Sequence, residues 1–106
     1  MKFLNTGTAS SISPKTVAAL EDADIGAIAI IVGRRDEVLR TYEKIECAGN
    51  SRYAADCCWK VHDDKTEKPT LLASDIVASV ARTYPYRLVL FDNSFEAFAA
   101  LAAEKL

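Results

Sequence analysis

The chain has 106 residues, half of them apolar and 26% charged, with a formal net charge of −2. Its halves are balanced, seven basic against seven acidic side chains in residues 1–53 and six against eight in residues 54–106. That balance argues against an electrostatic footprint for nucleic acid or an anionic membrane. No apolar run approaches the ~18–20 residues that cross a bilayer, and the length predicts one globular domain, residues 1–106, with a core of its own.

Lys2-Phe3-Leu4 reads as a short strand, and the polar residues after it predict no secretory apolar region. The loop Thr6–Ser11 follows. Ser13-Pro14 then signals a helix start, with Ser13 as the cap and Pro14 at the first helical position. Val17, Leu20 and Ala18 supply its apolar face, and the helix ends at Asp22–Asp24.

The run Ala27-Ile28-Ala29-Ile30-Ile31-Val32 carries no alternation, which predicts a strand covered on both faces. Gly33–Glu37 reads as a hairpin tip. The return strand Val38–Ile45 mixes Arg40, Glu43 and Lys44 with apolar residues, a composition expected of a partly exposed edge strand.

Beyond Ala48-Gly49-Asn50, the three- and four-residue spacing of Ala54, Cys57, Cys58 and Val61 predicts a helix over residues 51–62. The charged stretch Asp63–Pro69 reads as a connector. In residues 70–83 the spacing of Leu72, Ile76 and Val80 favours one helix. The alternative is a strand Thr70–Ala73 followed by a helix that Ser74 caps.

Tyr84-Pro85-Tyr86 ends that segment, since the residue before proline disfavours helix. Arg87–Phe91 reads as a second buried strand. Asn93 with Glu96 three residues on forms a capping pattern for a closing helix expected to bury Phe95, Phe98, Ala99 and Ala102. The expected fold is therefore α/β or α+β: a small mixed sheet of three to five strands, containing a hairpin, with about four helices packed on it.

Each candidate for chemistry has a plainer role beside it. On the predicted helix Cys58 and His62 lie four apart on one face, a spacing that suits a zinc ligand pair or a thiol beside an imidazole. The plainer role is a small core side chain and a helix-end histidine. The odd count of three cysteines, two of them adjacent, argues against a disulfide framework and for reduced thiols in a cytoplasmic protein.

Thr6 and Thr8 sit between a strand and a helix start, where backbone N–H groups attract phosphate. A phosphate loop usually holds more glycines than Gly7 alone. Arg34 and Arg35 at the hairpin tip suit a phosphate backbone or an acidic partner, or simply solvent. Asp75 and Asp92 both follow predicted strands and together suit a divalent metal, although aspartate there also caps the next helix. Trp59 with Tyr84 and Tyr86 suits an aromatic site or, more simply, core packing.

With a strand at residues 70–73, the order is strand, helix, hairpin, helix, strand, helix, strand, helix. That order, with Thr6-Gly7-Thr8, Asn50-Ser51-Arg52 and Ser74-Asp75, resembles the ribonuclease H-like architecture. The resemblance sets Thr6 and Ala54 in place of two of its carboxylates and keeps only Asp75, which implies a scaffold without catalysis. Without the first strand the order is similar to the cytidine-deaminase-like architecture, but the His-x-Glu and Cys-x-x-Cys zinc signatures are missing.

The expected function is that of a non-catalytic binding or interaction module acting as a homodimer, through an edge strand or a helix face, with no cofactor, no membrane contact and no nucleic acid. The alternative is a metal-dependent enzyme, or a nucleotide- or nucleic-acid-binding protein on one of those two scaffolds.

Overall fold

The computed structural model describes residues 1–4, 14–46, 57–62, 67, 71–82 and 87–103, including all their side chains but those of residues 3, 57, 81 and 82. The elements in chain order are β1 (Lys2–Leu4), α1 (Pro14–Asp22), β2 (Ile28–Val32), β3 (Val38–Lys44), β4 (Cys57–Val61), β5 (Leu71–Ala73), α2 (Ser74–Arg82), β6 (Arg87–Phe91) and α3 (Ser94–Ala102). The strands form one sheet in the order β1-β6-β2-β3-β4-β5. Every neighbouring pair is antiparallel. The class is α+β, as expected, but the sheet has six strands and no parallel pair, and three helices lie among the described residues.

β2 occupies the middle of the sheet and all five of its residues are buried. Its alternate residues feed two cores. Ala29 and Ile31 join Leu20, Tyr42, Trp59, Val77, Ala78, Leu88 and Leu90 beneath α1 and α2. Ile28, Ile30 and Val32 join Val89 and Phe91 beneath α3. Helices on both faces explain the unbroken apolar run, because neither side of the strand meets water.

The hairpin tip forms as predicted. Asp36 N donates to Gly33 O at 3.1 Å and Gly33 N donates to Glu37 O at 2.8 Å. Asp36 takes a left-handed conformation at φ 61°, the position that closes a short turn into a bulged hairpin.

Four expectations are corrected. β3 is not an edge: it lies between β2 and β4. Glu43 faces its register partner Lys60 at 3.7 Å, and Lys44 is buried. The edges are β1 and β5, three residues each, short enough to offer little backbone for pairing.

The predicted helix over residues 51–62 is a strand from Cys57 onward; residues 51–56 lie outside the described residues. Pairing with β3 on one side and β5 on the other, with Trp59 buried in the first core, outweighs a helical spacing that rested on four small or apolar residues. A strand where the second helix was expected also removes the element order behind the resemblance to ribonuclease H-like and deaminase-like proteins.

Residues 71–82 are strand plus helix, the second of the two alternatives. Finally, α3 turns the opposite face inward. Ala97, Ala100 and Leu101 meet the sheet, while Phe95, Phe98, Ala99 and Ala102 face outward. Ile28, Ile30 and Phe91 already fill the space over the sheet, so a small residue such as Ala97 lets the helix approach. The cap sets the rotation: extended Asn93 accepts from Glu96 N at 2.9 Å through Oδ1, directly after β6.

Candidate functional site

The register separates the pairs that the sequence suggested. β5 and β6 run in the same direction, so Asp75 and Asp92 follow strand ends on the same side of the sheet. They are four strand spacings apart in the order β6-β2-β3-β4-β5, about 19 Å at the ~4.8 Å spacing of a sheet. No single metal ion bridges that gap. Both aspartates are exposed, and Asp75 lies in the first turn of α2, where a carboxylate complements the helix dipole.

Cys58 and His62 lie on the strand β4 and the residue after it, so four residues of extended chain put them roughly 13 Å apart. Cys58 is disulfide-bonded, contrary to the reduced thiol expected. A disulfide also removes the ground for assigning a reducing cytoplasm. The other cysteines are Cys47 and Cys57, whose side chains lie outside the described residues.

Arg34 and Arg35 are exposed at the β2–β3 tip. The tip is tied down locally: Arg35 N donates to Glu37 Oε2 at 2.8 Å, and Asp36 pairs with Arg87 at the start of β6. Thr6, Thr8, Tyr84 and Tyr86 lie outside the described residues. Trp59 is fully buried, which selects the packing role.

Two features escaped the sequence. The first is a buried polar chain beneath α1 and α2. Lys44, on β3, is 8% exposed and shares a face with its register partner Trp59. Its Nζ donates to Leu20 O at 2.8 Å and to Glu21 O at 2.6 Å. These carbonyls end α1, where no basic residue of the helix itself is available. A cation there satisfies orphan carbonyls and complements the dipole.

The same Nζ sits 5.7 Å from the Trp59 ring centroid, within cation–π range. Trp59 Nε1 then donates to Ser74 Oγ at 3.1 Å. Burial pushes the Lys44 ammonium below its usual range, against the pull of Asp22, Glu21 and Asp24. Burial likewise raises the Tyr42 phenol, against Arg40. A shifted titration in a buried cluster can mark catalysis. Here Lys44 Nζ ends on two carbonyls and a ring, and Trp59 Nε1 on a hydroxyl, contacts that join α1, β3, β4 and α2, so the arrangement clamps the layer.

The second feature is the outer face of α3. Phe95 is 83% exposed and Phe98 42%. Ala99 and Ala102 continue the stripe, and Glu96 is the one charged residue in the helix. Phe98 leans over the end of β4, its ring centroid 5.2 Å from that of His62. His62 Nδ1 is buried there without a hydrogen bond among the described residues.

Among the described residues no group of three or more His, Cys, Asp or Glu side chains converges as a metal site would. No helix among them is long and apolar enough to cross a membrane. No protein family, curated protein or solved structure matches the chain.

Proposed function

We propose that the chain is a non-catalytic interaction module that works as a homodimer, docked through the outer face of α3. The observation that carries this reading is the exposure of Phe95 on an outward stripe of α3 that is apolar throughout, Phe95, Phe98, Ala99 and Ala102. An exposed aromatic on a rigid element is the kind of anchor that interfaces bury at their centre. Separation of Asp75 from Asp92, and the disulfide at Cys58, take away the two catalytic constellations that the residue types offered.

The expectation of self-association through a β3 edge is replaced by the helix face, since β3 has neighbours on both sides. The test is mass by light scattering from about 10 µM to about 1 mM, the range of weak interfaces. The mass is expected to rise from one chain toward two, and Phe95→Asp to hold it at one. A constant monomer mass for the unaltered chain defeats the reading.

A further inference from the structure

We infer that the disulfide of Cys58 closes to Cys47 across the β3–β4 pair, as a redox-removable brace, and that Cys57 stays a thiol. This goes beyond the docking reading and does not depend on it. Cys58 is disulfide-bonded, and the chain holds two other cysteines, Cys47 and Cys57, so the bond has two possible closures.

Backbone geometry separates them. No cis peptide occurs among the described residues, and Cys57 opens β4, paired with Ala73. Consecutive Cα atoms joined by a trans peptide are about 3.8 Å apart, short of the ~4.4–6.8 Å that a disulfide spans. Bridging two neighbours needs a turn, whereas Cys57 and Cys58 lie in a strand.

The other closure fits the register. Ile45 N donates to the Cys58 carbonyl at 2.7 Å, so the β3–β4 ladder runs one pair past Lys44 and Trp59. Residues paired in this way have Cα atoms about 5.5 Å apart. Strand residues alternate faces, and the next residue of the Ile45 parity is Cys47. Such diagonal neighbours lie about 7–8 Å apart in a regular ladder. β3 has ended at Lys44, which frees the chain to close that gap to bonding distance.

The bond forms when the Cys47 and Cys58 thiols give two electrons and two protons to a disulfide of a small thiol or of another protein, which leaves as two thiols. It encloses residues 48–57 and ties β4 to β3 beside Trp59. β5 and α2 are held to the sheet through β4, so reduction loosens that side first, while β1, β6 and β2 keep their pairing. The chain is braced in an oxidising compartment and slackened in a reducing one.

Trypsin cuts after Lys44, Arg52 and Lys60, which puts Cys47 on peptide 45–52 and the other two cysteines on peptide 53–60. Thiols of the unreduced chain are blocked with N-ethylmaleimide in denaturant at mildly acidic pH, where little thiolate is present to exchange disulfides, and the digest is read by mass spectrometry. The expected product is 45–52 joined to 53–60, with the maleimide on Cys57. A 53–60 peptide closed on itself, a link through Cys57, or three blocked cysteines each overturns the assignment.

Melting tests the brace. Dithiothreitol is expected to lower the Tm of the unaltered chain and of Cys57→Ser by about 10–20 °C, the effect of opening a loop of this length. Cys47→Ser is expected to melt at the reduced value with or without it. An unaltered chain whose Tm does not change in reductant overturns the brace, and a Cys57→Ser chain that no longer responds overturns the closure to Cys47.

Discussion

Replacing Lys44 with methionine keeps the aliphatic stem against Trp59 and removes the ammonium. Two opposed effects follow. The altered chain no longer buries a charge, and the lowered position of the Lys44 titration says that this charge is not fully compensated in the fold. It also leaves Glu21 O without its donor and Leu20 O with only the long bond from Ala23 N at 3.4 Å. An unsatisfied buried carbonyl costs about 1–3 kcal/mol. Leu20 is fully buried, whereas Glu21 is exposed and water can reach its carbonyl more readily.

Two partial penalties, offset in part by the relief of desolvation, leave a net loss of about 1 kcal/mol. For a domain near 100 residues that is a fall in Tm of about 4–8 °C. Urea unfolding followed by fluorescence of Trp59, the single tryptophan, measures the loss directly. A Lys44→Met chain within about 0.5 kcal/mol of the unaltered one refutes the clamp, because the two carbonyls would then have found other partners at no cost.

The pH dependence of the same pair of chains carries a sign. The folded state holds the Lys44 proton less tightly than the unfolded state, whose pKa is near 10.4. In the window between the lowered folded value and the unfolded one, the unfolded chain binds more protons, so stability rises with pH. Tyr42 acts oppositely, its raised folded value making stability fall above pH ~10, but it is common to both chains. The stability of the unaltered chain relative to Lys44→Met should therefore rise as the pH approaches about 10 from below, and a fall over that approach contradicts the direction given for Lys44. A double-mutant cycle of Trp59→Phe and Ser74→Ala should give a coupling of about 1 kcal/mol for the Nε1–Oγ bond; additive losses would mean that the bond contributes nothing. On α3, Ala97→Leu should cost about 1–3 kcal/mol by overpacking the second core, whereas Phe95→Ala should stay within about 0.5 kcal/mol. The reverse ranking would put Phe95 inside and end the docking reading.

Features set by neighbours in sequence were legible without the fold. The two-sided burial of β2 follows from six consecutive apolar residues. Gly33–Glu37 closes the hairpin, and Asn93 caps α3, because each depends on a few adjacent residues. Features set by distant residues were not legible. Whether residues 57–61 extend or coil depends on β3 and β5 as hydrogen-bonding neighbours. The same spacing of Ala54, Cys57, Cys58 and Val61 satisfies a helix until those strands are present.

The closing helix offered two apolar faces, and size favoured the one with the phenylalanines. The sheet took the other, with Ala97 fully buried against Ile28, Ile30 and Phe91 and with Ala100 and Leu101 packed against the same core. The candidate site divided in the same way. Arg34, Arg35, Asp75 and Asp92 are exposed at turns and helix starts, as local pattern predicts. Strand order determines that the two aspartates are four strands apart and that Lys44 ends beneath the last turn of α1. Local pattern therefore determined β2, the hairpin tip and the Asn93 cap. The long-range pairing of β6 with β2, and of β4 with β3, decided what each of their side chains meets.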